Sequence, residues 1–224
     1  MTGSLWQARP PRALVVFDVN IYLDVARILG PAATWDAFLE LAVKHANEPL
    51  PHRRDAALDS LRALAISKSG KYEPGVKLEI WFGQHLDDTT YFKLIQDAGA
   101  ADRVEDCGFG WAAKDADDFM ELLVDPFWCE DDNFVSGDPI GYETPPLDHE
   151  DGCVYAIARD AGSENYSYER FCVTRDVDFR NAALKGDIEV MHPHEWVAHV
   201  RGKISNGNPM SRMIPKRVDA PSVA

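Results

Sequence analysis

Apolar residues recur along the chain in two rhythms, one suited to strands and one to helices. Ala13–Phe17 is apolar without a break and is bounded by Pro10-Pro11 and by Asp18, which predicts a fully buried strand of a parallel sheet. Ile21, Val25, Ile28 and Leu29 then follow helical spacing until Gly30-Pro31 stops the run, predicting a helix over 21–29. Thr34 reads as the N-cap of a second helix over 35–46, and a third is expected over 53–66. The stretch 67–75 predicts a loop, and the alternating Val76–Gly83 a strand. Leu86, Thr90, Leu94 and Ile95 predict a helix within 84–98; a loop is expected over 104–111 and a helix over 114–124. Residues 125–147 are rich in Pro, Gly and acids and predict a long surface insertion, with Trp128 and Phe134 as its anchors to the core. A helix over 148–161 turns Val154, Ile157, Ala158 and Ala161 inward. Strands are expected at Phe171–Thr174 and 187–191, then a short helix in "HPHEWVAHV" and a poorly ordered tail from Arg201.

Strands that alternate with helices define an α/β protein, here expected as a three-layer α/β/α sandwich around a mostly parallel sheet. The 224 residues suit one large domain that needs no disulfide or metal to hold its core. The expected division is an extension over 1–12, a domain over 13–200 carrying the acidic insertion at 125–147, and a tail over 201–224.

Charge narrows the partners. With 37 acids against 23 bases the net charge is −14, a poor surface for passive binding to nucleic acid. Clustered carboxylates nonetheless hold divalent cations, and those cations meet phosphates. No apolar run approaches a membrane span, and the run after Arg9 and Arg12 is too short for a signal peptide, so no membrane contact and a cytoplasmic location are expected. Cys107, Cys129, Cys153 and Cys172 form no C-x-x-C pair and read as reduced thiols, Cys153 and Cys172 as core filler.

In parallel α/β folds ligands bind beyond the carboxyl ends of the strands. Asp18 ends the first strand, and Asp176 lies two residues past "FCVT". Asp148, Glu150 and Asp151 crowd the first turn of a helix, where each could equally be an ordinary cap. Carboxylates converging on one spot repel unless a cation sits among them, and oxygen donors select Mg²⁺ or Mn²⁺. Asn20 fits as a neutral partner that orients an acid or a water. Thr174 reads either as a donor to an acid or phosphate or as a strand-end turn residue.

Four segments carry a family resemblance. "LVVFDVNIYL" looks like the first motif of PIN-domain nucleases, "DHEDGCVYAIARDAG" resembles their third, "FCVTRDVDFRN" their fourth, and "IEVMHPHEWVAHV" their closing strand and helix. The resemblance spans about 13–200. It implies a PIN-like fold and a Mg²⁺- or Mn²⁺-dependent endoribonuclease that hydrolyses RNA. By motif, Asp18, Asp151 and Asp176 are the core acids and metal ligands, with Asp178 and Asp148 secondary. Where the family's second motif places a Glu, this chain offers Asp88 or Asp87, and Asp88 is favoured; Glu79, inside the strand, is expected to point away. Many proteins of this family are toxins paired with an antitoxin, so a protein inhibitor is one expected partner, and a homodimer another arrangement. The alternative is a catalytically silent PIN-like binding module, which the missing Glu and the charge favour.

The remaining candidates have plainer readings. Arg175 is expected to balance the acids, and Asp24 to lie at the surface. His192 and His194 make a weak metal pattern without a third ligand. His85 and His149 flank suspected acids and are expected to face solvent. Asn20 takes the place of the second acid of a phosphatase-type D-x-D pair, which disfavours that chemistry.

Overall fold

A computed structural model of the chain describes residues 9–46, 55–97, 108–121, 133–136, 147–182 and 186–206. Six strands form one mixed, mostly parallel sheet, with eight helices around it among the described residues. The strands are β1 (Pro11–Phe17), β2 (Lys71–Glu73), β3 (Val76–Gly83), β4 (Phe134–Val135), β5 (Ser167–Val173) and β6 (Ile188–Met191). Their order is β2-β3-β1-β5-β6, with β4 also on β3; only the β2–β3 pairing is antiparallel.

β1 is central because it can be. Successive strand side chains point to opposite faces, and every residue from Ala13 to Phe17 is fully buried, so both faces of this strand are covered. Val15 lies between Ile80 of β3 and Phe171 of β5. Burying such side chains stabilises by about 1.5–3 kcal/mol each.

The helices are α1 (Val19–Leu29), α2 (Trp35–Ala46), α3 (Ala56–Lys68), α4 (Gln84–Ile95), α5 (Ala113–Phe119), α6 (His149–Asp160), α7 (Val177–Asn181) and α8 (Pro193–Asn206). α1 stops at Gly30, whose φ of 74° is a left-handed conformation that glycine adopts without steric cost. Thr34 Oγ1 accepts the Ala37 amide, so α2 has the expected cap. α3 packs against α1, α2 and α8, while α6 lies against β1, β3, β5 and β6. Arg170 of β5 donates to the carbonyls of Ala158 and Ala161 at 2.5 and 2.7 Å, anchoring the carboxyl end of α6 with a cation. After α4, residues 108–111 fold back on its last turn: the Phe109, Gly110 and Trp111 amides donate to the carbonyls of Lys93, Gln96 and Leu94. That approach needs Gly108, where an added Cβ would lie 2.1 Å from the Gln96 carbonyl oxygen.

Three expectations change. The expected loop at 67–75 contains β2, whose Tyr72 is buried and bonds both Glu169 and His199. Part of the expected insertion is β4, with Phe134 and Val135 packed on the core as Phe134 was expected to be; Trp128 lies outside the described residues. The closing helix does not end at Val200 but runs to Asn206, held by buried Trp196, Val197 and Val200 and by the Trp196 indole donating to Ser67 Oγ at 2.8 Å. The remaining tail lies outside the described residues.

Candidate active site

The chain leaves β1 toward β3 on one side and later returns to place β5 on the other, so the strand order reverses between β1 and β5. Ligand sites of open α/β sheets form beyond the carboxyl ends of strands at such a point. Asp18 ends β1 there, and Thr174 and Asp176 follow β5. The Asp18 amide donates to the Val173 carbonyl at 3.0 Å, locking the two strand ends together.

Asp18 stands at the N-cap position of α1, yet its side chain makes no capping hydrogen bond. Its Oδ2 instead accepts from Thr174 Oγ1 at 2.6 Å and from Asn20 Nδ2. Thr174, fully buried, also accepts the Asp176 amide at 2.9 Å, and Asn20 Oδ1 accepts the Arg175 amide at 3.3 Å. Thr174 and Asn20 thus orient Asp18, as the sequence reading allowed.

The other acids also have backbone duties. Asp148 Oδ1 accepts the Asp151 amide at 2.9 Å and caps α6. Asp176 Oδ1 accepts the amides of Asp178 and Phe179 at 2.6 and 3.0 Å and caps α7. The Oδ2 atoms of both take no part in these caps.

The acids feel one another's charge. Burial pushes the Asp18 carboxyl up to about 6, against the Thr174 hydrogen bond and the Val19 backbone, and the charges of Glu150 and Asp176 add to the rise. Burial likewise pushes Asp151 up to about 7, helped by Asp148, Asp18, Asp176 and Glu150. No basic side chain is among the leading influences on either acid. The cation nearest in sequence, Arg175, lies 2.9 Å from Asp24, an ion pair by distance without hydrogen-bond alignment. Arg175 therefore balances an acid, as expected, but the acid is Asp24.

Asp24 is the clearest correction. It is 1% exposed, accepts from Ser60 Oγ at 2.6 Å and from Arg27 at 3.2 Å, and its carboxyl is raised by burial against those partners. Ile21, Asp24, Val25 and Ile28 share the i, i+3, i+4, i+7 face of α1, so the spacing itself carried the signal.

The structure does not bring Asp88 to the cluster. It is exposed, accepts from Gln84 Nε2 at 2.9 Å along the same helix, and is absent from the leading influences on Asp18 and Asp151. Asp87 is half-buried on the same turn, and Asp178 is exposed. Glu79 points away as expected, paired with Arg12 at 2.7 Å. His192 and His194 contact each other through their Nδ1 atoms at 2.5 Å. His149 is exposed as expected, whereas His85 is half-buried; their rings pack edge to face, 5.4 Å between centroids.

The acid cluster fits a hard divalent cation in its chemistry: carboxylate oxygens only and mutually repelling, with Asp18 buried, Asp151 half-buried, and Asp148, Glu150 and Asp176 exposed. No three of its oxygens lie within 4.8 Å of one another; among the described residues, the trio of ligating atoms that meets that distance is His85, His149 and Cys153.

No protein-family model, curated protein or solved structure matches this chain. The family resemblance therefore rests on the sequence motifs alone.

Proposed function

We propose that the protein is a Mg²⁺- or Mn²⁺-dependent endoribonuclease of PIN type, with α/β/α layering around the sheet. The observation that carries the reading is a pair of acids, Asp18 and Asp151, raised by burial and by their acidic neighbours, with no leading basic partner and with Asp18 at the point where the strand order reverses. The choice of RNA rests on the motifs. The layering is supported by the complete burial of β1 and by the packing of α6 across β1, β3 and β5.

Asp18, Asp151 and Asp176 would hold the cation, which supplies Lewis acidity toward a phosphodiester oxygen and lowers the pKa of water. Thr174 and Asn20 keep Asp18 oriented by occupying its Oδ2. Burial and the neighbouring acids raise the Asp151 carboxyl to about 7, a rise that a bound cation would offset. The capping bonds of Asp148 and Asp176 fix the backbone that presents the site.

The test is cleavage of single-stranded RNA by the full chain with Mn²⁺ or Mg²⁺, wild type against Asp18→Asn and Asp151→Asn, each checked for folding by thermal melting. Internal cuts that need the cation and vanish in both variants are expected. Equal cleavage by wild type and Asp18→Asn would overturn the assignment. The exposed position of Asp88 favours a second reading, a silent binding module, in which Mn²⁺ raises the melting temperature but no cleavage occurs.

A further inference from the structure

We infer that His85, His149 and Cys153 form a second cation site, distinct in chemistry from the acid cluster and suited to a borderline transition metal such as Zn²⁺. This goes beyond the nuclease reading and does not depend on it.

One ligating atom from each of the three residues lies within 4.8 Å of the other two. His149 Nε2 and Cys153 Sγ are 3.9 Å apart, on one face of α6 at i, i+4 spacing. His85 comes from the first turn of α4, and its ring meets that of His149 at a centroid distance of 5.4 Å and an interplanar angle of 89°. Tetrahedral zinc, at about 2.1 Å from nitrogen and 2.3 Å from sulfur, places ligand atoms about 3.3–3.6 Å apart. The observed spacing is therefore a small side-chain rotation from ligation.

The donor set decides the metal. Two imidazoles and a thiolate are poor ligands for Mg²⁺ and good ones for Zn²⁺ or Co²⁺. Cys153 binds as the thiolate and releases its proton to solvent. Its side chain is buried while His149 is exposed, so the metal reaches the site from the His149 side and a water completes the coordination.

The fold makes the three residues converge. Gly83, the residue before α4, admits α6 closely: an added Cβ would lie 2.6 Å from Ile157 Cδ1. A metal here would tie the start of α4 to the start of α6. That second segment also carries Asp148, Glu150 and Asp151, so the site would fix the backbone under half of the acid cluster.

Co²⁺ titration of the chelator-treated full chain tests the inference. One equivalent is expected to produce a thiolate-to-cobalt charge-transfer band that Zn²⁺ abolishes. Cys153→Ala should lose the band. His149→Ala, at an exposed position that leaves the core intact, should weaken binding by more than the about 10–100-fold lost on removing a supporting non-ligating neighbour. Asp18→Asn should keep the band at one equivalent, which separates this site from the acid cluster. A band that persists in Cys153→Ala, or no band in wild type, would overturn the proposal and leave only ring packing and a thiol–imidazole contact.

Discussion

Replacing Asp18 by Asn separates what the carboxylate contributes to the fold from what it contributes to the site. Asn is nearly isosteric with the protonated acid and can still accept from Thr174. Asp18 is 7% exposed, and its pKa stands at about 6 against an ordinary 3.8. A folded-state value above the unfolded one means that the folded protein binds this proton more tightly. The associated stability is complete below about pH 4 and is lost as pH rises through about 6. Above pH 7 the ionised Asp18 therefore weighs against folding by about 3 kcal/mol, from roughly two units at 1.36 kcal/mol each. In the absence of divalent metal, Asp18→Asn should be more stable than wild type at pH 8, by up to roughly 6–12 °C in melting temperature for a domain of this size. The advantage should fade toward pH 4. Mn²⁺ at one hundred times its dissociation constant should close most of this gap, because it adds about 2.7 kcal/mol to wild type alone. Thermal melting across pH 4–8, with chelator and with Mn²⁺, reads all of this. A metal-free variant less stable than wild type at pH 8, or one with an undiminished Mn²⁺ shift, would refute the reasoning.

Three further outcomes follow from the geometry. Asp24→Ala should destabilise by about 2 kcal/mol in urea unfolding, less than a fully buried pair because Arg175 and Arg27 keep water access. Gly108→Ala, which drives a Cβ to 2.1 Å from a backbone oxygen, should cost about 1–3 kcal/mol, while Gly30→Ala should act only through its positive φ. Asp88→Ala should change stability by less than about 0.5 kcal/mol and leave RNA cleavage unchanged, whereas Asp176→Ala should lower both, having removed the α7 cap.

What the sequence revealed was local. The Thr34 cap, the Gly30 stop and the unbroken apolar run of β1 each act within a few residues, and all three appear where expected. The positions of Asp18 after β1, Asp151 in the first turn of α6 and Asp176 after β5 were also legible, because ends of strands and starts of helices can be placed without knowing the tertiary fold. β2 and β4 were not, since strands of three and two residues exist only through pairing with β3. The failure at Asp24 is of another kind: the helical face was visible, but its partners Ser60 and Arg175 lie far along the chain. Asp88 failed because position on a helix says which turn a residue occupies, and only packing decides which way it faces. The His85 pairing crosses two helices, while the His149–Cys153 spacing stood open in the sequence.

The hydrogen bond from Thr174 to Asp18 spans 156 residues. β1 emerges from the ribosome early and β5 late, so a growing chain that stops short of Thr174 holds Asp18 on a strand end with no orienting hydroxyl and no Asp176 beside it. Pairings of such sequence separation also form slowly once both strands exist. An incomplete translation product thereby carries the first carboxylate without the hydroxyl that orients it in the finished fold.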